Sequence, residues 1–204
     1  AVPAANINPY LVDAPDVLIA SRKSALCDVP EVVYGSFALD GGHFTIDQET
    51  RDRLTAVDPR VEQFLRPFIG GEEFLHGTPR WCLWLAGANP TELRAMPSVL
   101  ERVEAVRDWR RSRDRETTRK LAATPTLFAE VRQPATGYVA IPTVSSERRN
   151  FIPMGMLSAD VIASNQLYVV ANATLLHFGI LSSTMHNAWV RAVCGRLESR
   201  YRYS

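Results

Sequence analysis

Residues 142–179, PTVSSERRNFIPMGMLSADVIASNQLYVVANATLLHFG, carry the clearest reading in the chain. Within them, Gln166 to Ala171 (QLYVVA) is β-branched and aromatic, which predicts a strand. Alternation puts Leu167, Val169 and Ala171 on a purely apolar face, expected to meet the core. Gln166, Tyr168 and Val170 fall on the other face, expected to look outward. Upstream, Ser145-Ser146-Glu147-Arg148-Arg149-Asn150 is a polar turn. Two adjacent arginines beside two hydroxyls can grip phosphate, because they combine charge with several hydrogen-bond donors. The same residues also suit a solvated loop with two surface arginines.

Working outward, residues 137–144 and 126–132 read as strands. They are joined through Gln133-Pro134-Ala135-Thr136, a hairpin-like connection with its tip in solvent. Residues 80–85 (RWCLWL), 31–37 (EVVYGSF) and the apolar run 17–20 (VLIA) are further strand candidates, the last expected to be buried. Thr45-Ile46-Asp47-Gln48 fits a capping box for a helix over about 46–56, and Asp58-Pro59 opens a short one ending near Pro67. Asn89-Pro90 starts another, and Pro97 the longest, over about 98–122, with Leu100, Val103, Val106 and Trp109 as its apolar stripe. Its second half, Arg110 to Lys120, holds 6 basic and 2 acidic residues. Phosphate contact through Arg119 and Lys120 and a solvated charged face are both open readings there. After Ser182-Ser183, Met185, Ala188, Trp189, Ala192 and Val193 give a buried stripe, with His186, Asn187, Arg191 and Arg196 off it. The expected class is α+β: a twisted, mostly antiparallel sheet with several helices, one of them long.

The charge is uneven. Residues 1–76 carry 6 basic and 12 acidic residues, and residues 77–204 carry 17 and 10, so a near-neutral chain can still show a basic face. All the basic residues but Lys23 and Lys120 are arginine, which suits bidentate contact with phosphate or guanine. A GC-rich genome would give the same bias. Cys27, Cys82 and Cys194 are scattered and odd in number, which predicts reduced thiols, no zinc site and a cytoplasmic protein. No apolar run is long enough to span a bilayer, and the N-terminal residues lack signal-peptide character.

Enzyme constellations are missing. Gly70-Gly71 is followed by Glu72 and Glu73, which would repel phosphate, so the Gly pair reads as a structural turn. Ser183 and His186 share a helix without an orienting third group. His43, His76 and His177 have no ligand spacing to one another or to His186.

Longer segments resemble a known family. VSSERRNFIPMG and NATLLHFGILSSTMHNAWVRAVCGRLESRYRYS are similar to the C-terminal part of MmeI-type (type IIL) DNA methyltransferases, single-chain restriction-modification enzymes. INPYLVDAPDVLIASR, FLRPFIGGEEFLHGTPRWCLWL and TRKLAATPTLFAEVRQP extend the resemblance over almost the whole chain. It implies the target recognition domain, which reads DNA sequence. On that reading residues 1–16 are a connector from a catalytic domain, and residues 17–204 are the recognition domain. The implied partners are duplex DNA and the methyltransferase domain of the same polypeptide, with no membrane role. S-adenosylmethionine, and Mg2+ for any nuclease, would belong to the parent protein and not to this chain. Neither the Gly-rich cofactor loop nor the Asn/Asp-Pro-Pro-aromatic loop of an N6-adenine methyltransferase is here; Asn8-Pro9-Tyr10 has one proline. Lys23 and Lys120 lack the acidic context of a nuclease. The chain alone is therefore expected to catalyse nothing.

For phosphate the candidates are Arg148 and Arg149 with Ser145 and Ser146, then Arg119 and Lys120 of the TRKLA segment. For bases they are Gln166, Tyr168 and Gln133, since glutamine can pair bidentately with adenine. The bases read differ within the family, so readers should lie between the family segments, as Gln166 and Tyr168 do; Gln133 stands at the end of the TRKLAATPTLFAEVRQP segment. The competing reading is a structural domain that packs on the methyltransferase domain and has little DNA affinity of its own.

Overall fold

The computed structural model describes residues 3–9, 11, 13–18, 20 and 25–203. Tyr10, Ile19 and Lys23, named above, lie outside them. The strands are β1 (Val32–Tyr34), β2 (Thr45–Ile46), β3 (Leu65–Ile69), β4 (Trp81–Leu83), β5 (Tyr138–Pro142), β6 (Val144–Ser145), β7 (Gly155–Leu157), β8 (Ile162–Ala163), β9 (Leu167–Ala171), β10 (Arg196–Leu197) and β11 (Arg200–Arg202). The helices are α1 (Gln48–Val57), α2 (Gly71–His76), α3 (Pro90–Arg94), α4 (Pro97–Arg111), α5 (Glu116–Lys120), α6 (Leu175–Leu181) and α7 (Thr184–Val193).

The α+β class holds, but the strands divide among three sheets. They run β1-β9-β5-β7, β2-β4-β3-β8 and β10-β11-β6. Every pair is antiparallel except β3 with β8. One core lies between the β2-β4-β3 sheet and α4, built from Phe44, Phe64, Leu83, Val99, Val103 and Val106. In the β1-β9-β5-β7 sheet the central strands β9 and β5 are covered on both faces, while the edge strand β1 stays exposed. Val139, Ile141, Tyr168 and Val170 pack toward Val190 of α7, and Tyr138, Ala140, Leu167 and Val169 face the other way. The expectation that one face of residues 166–171 looks outward therefore fails beyond Gln166.

Several boundaries move, each for a local reason. Val17, Leu18 and Ala20 are exposed and form no strand. Helix α1 is capped by Asp47, whose carboxylate accepts from Thr50 N–H at 2.8 Å, because Thr45-Ile46 is already paired as a strand with β4. The Asp58-Pro59 helix is a 3-10 turn over Pro59–Phe64, and Pro67 belongs to β3. Gly70-Gly71 opens α2, with Glu73 accepting from Gly70 N–H at 2.6 Å. Residues 126–132 make only one isolated bridge, Phe37 with Glu130.

The long helix stops at Arg111 because Arg110 turns inward. Its side chain is fully buried, whereas the sequence reading put it on the basic outer face. Its Nε donates to Leu39 O, Nη1 to Leu121 O and Thr124 O, and Nη2 to Ala38 O and Leu127 O, at 2.8–3.1 Å. All five guanidinium N–H groups are satisfied by backbone that must fold back to reach them, so the helix cannot continue. The buried stripe is accordingly Val99, Val103, Val106 and Arg110.

Candidate nucleic-acid interface

The 145–150 turn is built by its own side chains. Ser146 Oγ accepts from Arg148 N–H at 3.2 Å, and Ser146 O accepts from Arg149 N–H at 3.2 Å. Arg191 of α7 clamps the turn from behind, with Nη2 donating to Arg149 O at 2.8 Å and Asn150 O at 2.5 Å. The Arg148 side chain is left 92% exposed, with the Glu147 carboxylate 4.0 Å away. A backbone hydrogen bond, the Ser199 hydroxyl and the charges of Arg148 and Arg200 hold Glu147 below the usual carboxylate range. Ser145 differs from expectation. It pairs with Tyr201 in the sheet, and its hydroxyl is buried with no hydrogen-bond partner among the described residues, so it is not displayed beside the arginines.

The chain's last residues complete this surface. β10 and β11 form a hairpin turning at Glu198, which sits at φ 59, and β11 pairs with β6. Arg196 stacks 3.6 Å over the Tyr201 ring and Arg191 lies 5.7 Å from it, on one face. Arg200 and Arg202 alternate to the other face. Arg196, Arg200 and Arg202 are exposed, and Arg200 pairs with Glu198 at 2.9 Å. Six arginines thus gather on one small sheet and its clamp. Arg191 and Arg196 were expected off the α7 stripe, but the hairpin that joins Arg196 to Arg200 and Arg202 was not, although the alternating Arg200-Tyr201-Arg202 was a signal.

An open trough runs from the hairpin's edge along β1. Its first part, about 670 Å3, is lined by Val32, Val33, Tyr34, Arg132, Gln133 and Tyr168. A recess of about 280 Å3 shares Tyr34 and Arg132 and adds Phe37, Glu130 and Asn165. A third, about 210 Å3, shares Phe37 and Asn165 and reaches Arg80, Trp109 and Gln166. A hydrogen bond with Tyr168, then the Arg202 guanidinium, hold the Tyr34 hydroxyl below its ordinary value, which joins trough to hairpin.

The other sequence candidates fall as follows. Gln166 is exposed at the far end of the trough, its Oε1 3.3 Å from Gly71 N–H. Gly70 makes room for it: a Cβ there would stand 2.4 Å from that oxygen. Tyr168 is buried, contrary to the outward placement, since α7 and Tyr203 cover its face. Gln133 is taken up internally. Its Nε2 donates to Ala159 O (3.0 Å) and Val161 O (2.8 Å), and its Oε1 accepts from Ala163 N–H (3.2 Å). Arg119 donates to Arg113 O at 3.1 Å and to Asp114 O, tying the break after α4. Lys120 pairs with Glu116 at 2.9 Å. Both belong to the α4–α5 layer, which shares no strand with the 145–150 turn.

The histidines are structural in their contacts. His177 Nδ1 accepts from Thr174 N–H at 3.0 Å at the start of α6, and His186 Nε2 lies 2.9 Å from Tyr203 Oη. Ser183 Oγ accepts from the His186 backbone N–H, which is a helix cap and not a catalytic pair.

Comparison with known proteins fits this geometry. The chain is 39% identical over 201 residues to DNA methyltransferase A of Bacillus subtilis (strain 168), covering 98% of the chain and 23% of that protein. It superposes with a TM-score of 0.93, at 46% identity, on the structure of the type IIL restriction-modification enzyme MmeI in complex with DNA. That match covers 100% of the chain and 27% of MmeI. The chain thus spans about a quarter of each relative. The MmeI target recognition domain profile matches residues 13–204, and the chain belongs to that family.

Proposed function

We propose that this domain reads a specific sequence in duplex DNA on behalf of a longer methyltransferase or restriction-modification polypeptide. The observation that carries the reading is the gathering of exposed Arg148, Arg196, Arg200 and Arg202, with half-buried Arg149, beside an open trough. MmeI, to which the chain is similar, was solved with DNA. The arginines fix register on the phosphates, and Gln166, with the side chains along the trough, meets base edges. S-adenosylmethionine would serve the parent's methyltransferase part, which transfers to adenine N6, and Mg2+ any nuclease part. This domain itself contributes recognition only. Residues 1–16 act as the connector to the catalytic part, and the parent works in the cytoplasm. Among the described residues no helix is long and apolar enough to cross a membrane.

A supporting domain with little DNA affinity of its own is the second reading. The internal bonding of Gln133, Arg119 and Tyr168 favours it. Titration with duplex DNA at two salt concentrations separates the two. Recognition predicts affinity that falls steeply with salt. An absence of binding to a duplex carrying the parent's methylation site, by both the chain and the parent lacking its own DNA contacts elsewhere, overturns it.

A further inference from the structure

A pair of cations sits apart from the arginine hairpin. Arg53 of α1 and Arg102 of α4 line one cavity of about 430 Å3, together with His43, Ser98 and Glu101. Arg102 Nη1 donates to His43 O at 2.7 Å, and Arg53 Nη2 donates to Thr50 Oγ1 at 3.5 Å. Neither guanidinium forms an ion pair among the described residues. Arg51, on the same helix as Arg53, pairs with both Asp52 and Glu62. Burial, then the charge of Arg53, hold the Arg102 guanidinium below its ordinary value, while Glu101 and Asp47 act the other way. The Ser98 hydroxyl is buried and has no hydrogen-bond partner among the described residues. Two like charges facing one cavity beside an unused hydroxyl are unfavourable by themselves, and an anion between them relieves both costs.

The cavity's place along α4 selects the anion. Arg102 and Trp109 are seven residues apart, so they share one face of the helix, about 10 Å apart along its axis. Trp109 lines the trough's third recess with Gln166. The 41–43 turn separates that recess from the cavity. Gly41, at φ 66, lets the turn lie against the Trp109 ring, since a Cβ there would stand 2.6 Å from it. Asp40 fixes the turn by accepting from Gly42, Phe44 and Thr45 N–H at 2.6–3.2 Å. We propose that Arg53 and Arg102 grip a backbone phosphate of the same duplex, beyond the end of the trough remote from the hairpin. The grip rests on the proposed function and adds a contact that the arginine hairpin does not make. A separation of about 10 Å matches the step from a base edge on the floor of the major groove, about 8.5 Å deep, to the phosphates on its wall. Glu101 is exposed at the cavity, and its carboxylate opposes a doubly charged free phosphate more than the single charge of a phosphodiester.

Titration of this chain with duplex DNA carrying the parent's methylation site, over a range of salt, tests it. Arg102→Gln keeps a donor for His43 O while removing the charge, and Arg53→Ala removes an exposed side chain, so both variants should melt like the unsubstituted chain. Each should weaken binding several-fold at low salt, and the double variant should lower the log–log salt slope by about 0.9, the worth of one phosphate. A scan of neutral methylphosphonate linkages along the duplex locates the contact. One linkage should weaken the unsubstituted chain several-fold and leave the double variant unaffected. An unchanged slope in the double variant, with no linkage showing that difference, overturns the grip and leaves the proposed function standing. No binding by the unsubstituted chain or its parent overturns both. A melting midpoint that inorganic phosphate raises only in the unsubstituted chain, with DNA affinity equal in the two, overturns the duplex as occupant and assigns the site to a free anion.

Discussion

The Tyr168 hydroxyl donates to the Tyr34 hydroxyl at 2.8 Å, and their rings lie 4.4 Å apart across the β1–β9 pair. Tyr168 is the buried member and Tyr34 the one on the trough. Tyr168→Phe should therefore cost about 1 kcal/mol of stability, the worth of a hydrogen bond. The Tyr34 hydroxyl loses the main influence lowering it, so its titration should move upward, readable by ultraviolet absorbance. A DNA preference altered by Tyr168→Phe with Tyr34 unchanged would assign base reading to Tyr168 itself.

The two arginine sets should separate in a salt titration. Arg148→Ala with Arg200→Ala should flatten the log–log salt slope by about 0.9 for each phosphate no longer neutralised. Arg119→Ala should leave the slope alone and loosen the break after α4 instead, since its guanidinium is held by Arg113 O and Asp114 O. A slope change with Arg119→Ala would return that residue to the interface.

Arg110→Ala should be among the most damaging single changes. It empties a fully buried site and orphans five carbonyls, so a loss of about 4 kcal/mol in urea unfolding is expected. Arg110→Lys should recover only part of it, because a compact ammonium cannot reach acceptors placed for a planar fork.

Gly35→Ala should also destabilise strongly, by about 3 kcal/mol. A Cβ there would stand 2.3 Å from Ser164 O and 2.6 Å from Ala163 O, and backbone cannot step aside. Gly70→Ala meets side-chain ends, Gln166 Oε1 and Arg80 Nη2. It should change stability little and displace Gln166, so DNA affinity is the quantity to read.

Stability should fall in mild acid through His186. Burial depresses its folded value below the ordinary 6.5. The unfolded chain then takes up the proton first, so this contribution is complete above about 6.5 and is lost as pH drops below it. His186→Gln should remove that part of the pH dependence in thermal melts between pH 7.5 and 5.

Much of the fold was legible in local chemistry. Gln166 to Ala171, Asn89-Pro90, Asp58-Pro59 and Ser183 announce themselves by β-branching or by capping groups within three residues. Long-range demands were not legible. Arg110 looks like one more basic residue in an exposed run until Ala38 and Leu39, about seventy residues away, offer it carbonyls. Asn187 likewise takes the inner face of α7 because Ile152 N–H needs an acceptor, which leaves Met185 and Trp189 of the expected buried stripe exposed. Of the candidate site, Arg148, Arg149 and Gln166 are proposed from residue type and alternation. The β10–β11 hairpin was missed because its strands are too short for periodicity to speak.

The double covering of β5 and β9 has an evolutionary consequence. β5 is buried along its whole length, so none of its side chains can serve a changing ligand. On the proposed reading, variable contacts fall at the rim: the 145–150 turn, the hairpin tip, the exposed β1 edge and the end of β9. Exchanges at such exposed positions cost little stability. A lineage can thus try new rim residues one at a time while the packing that keeps the domain folded goes untouched.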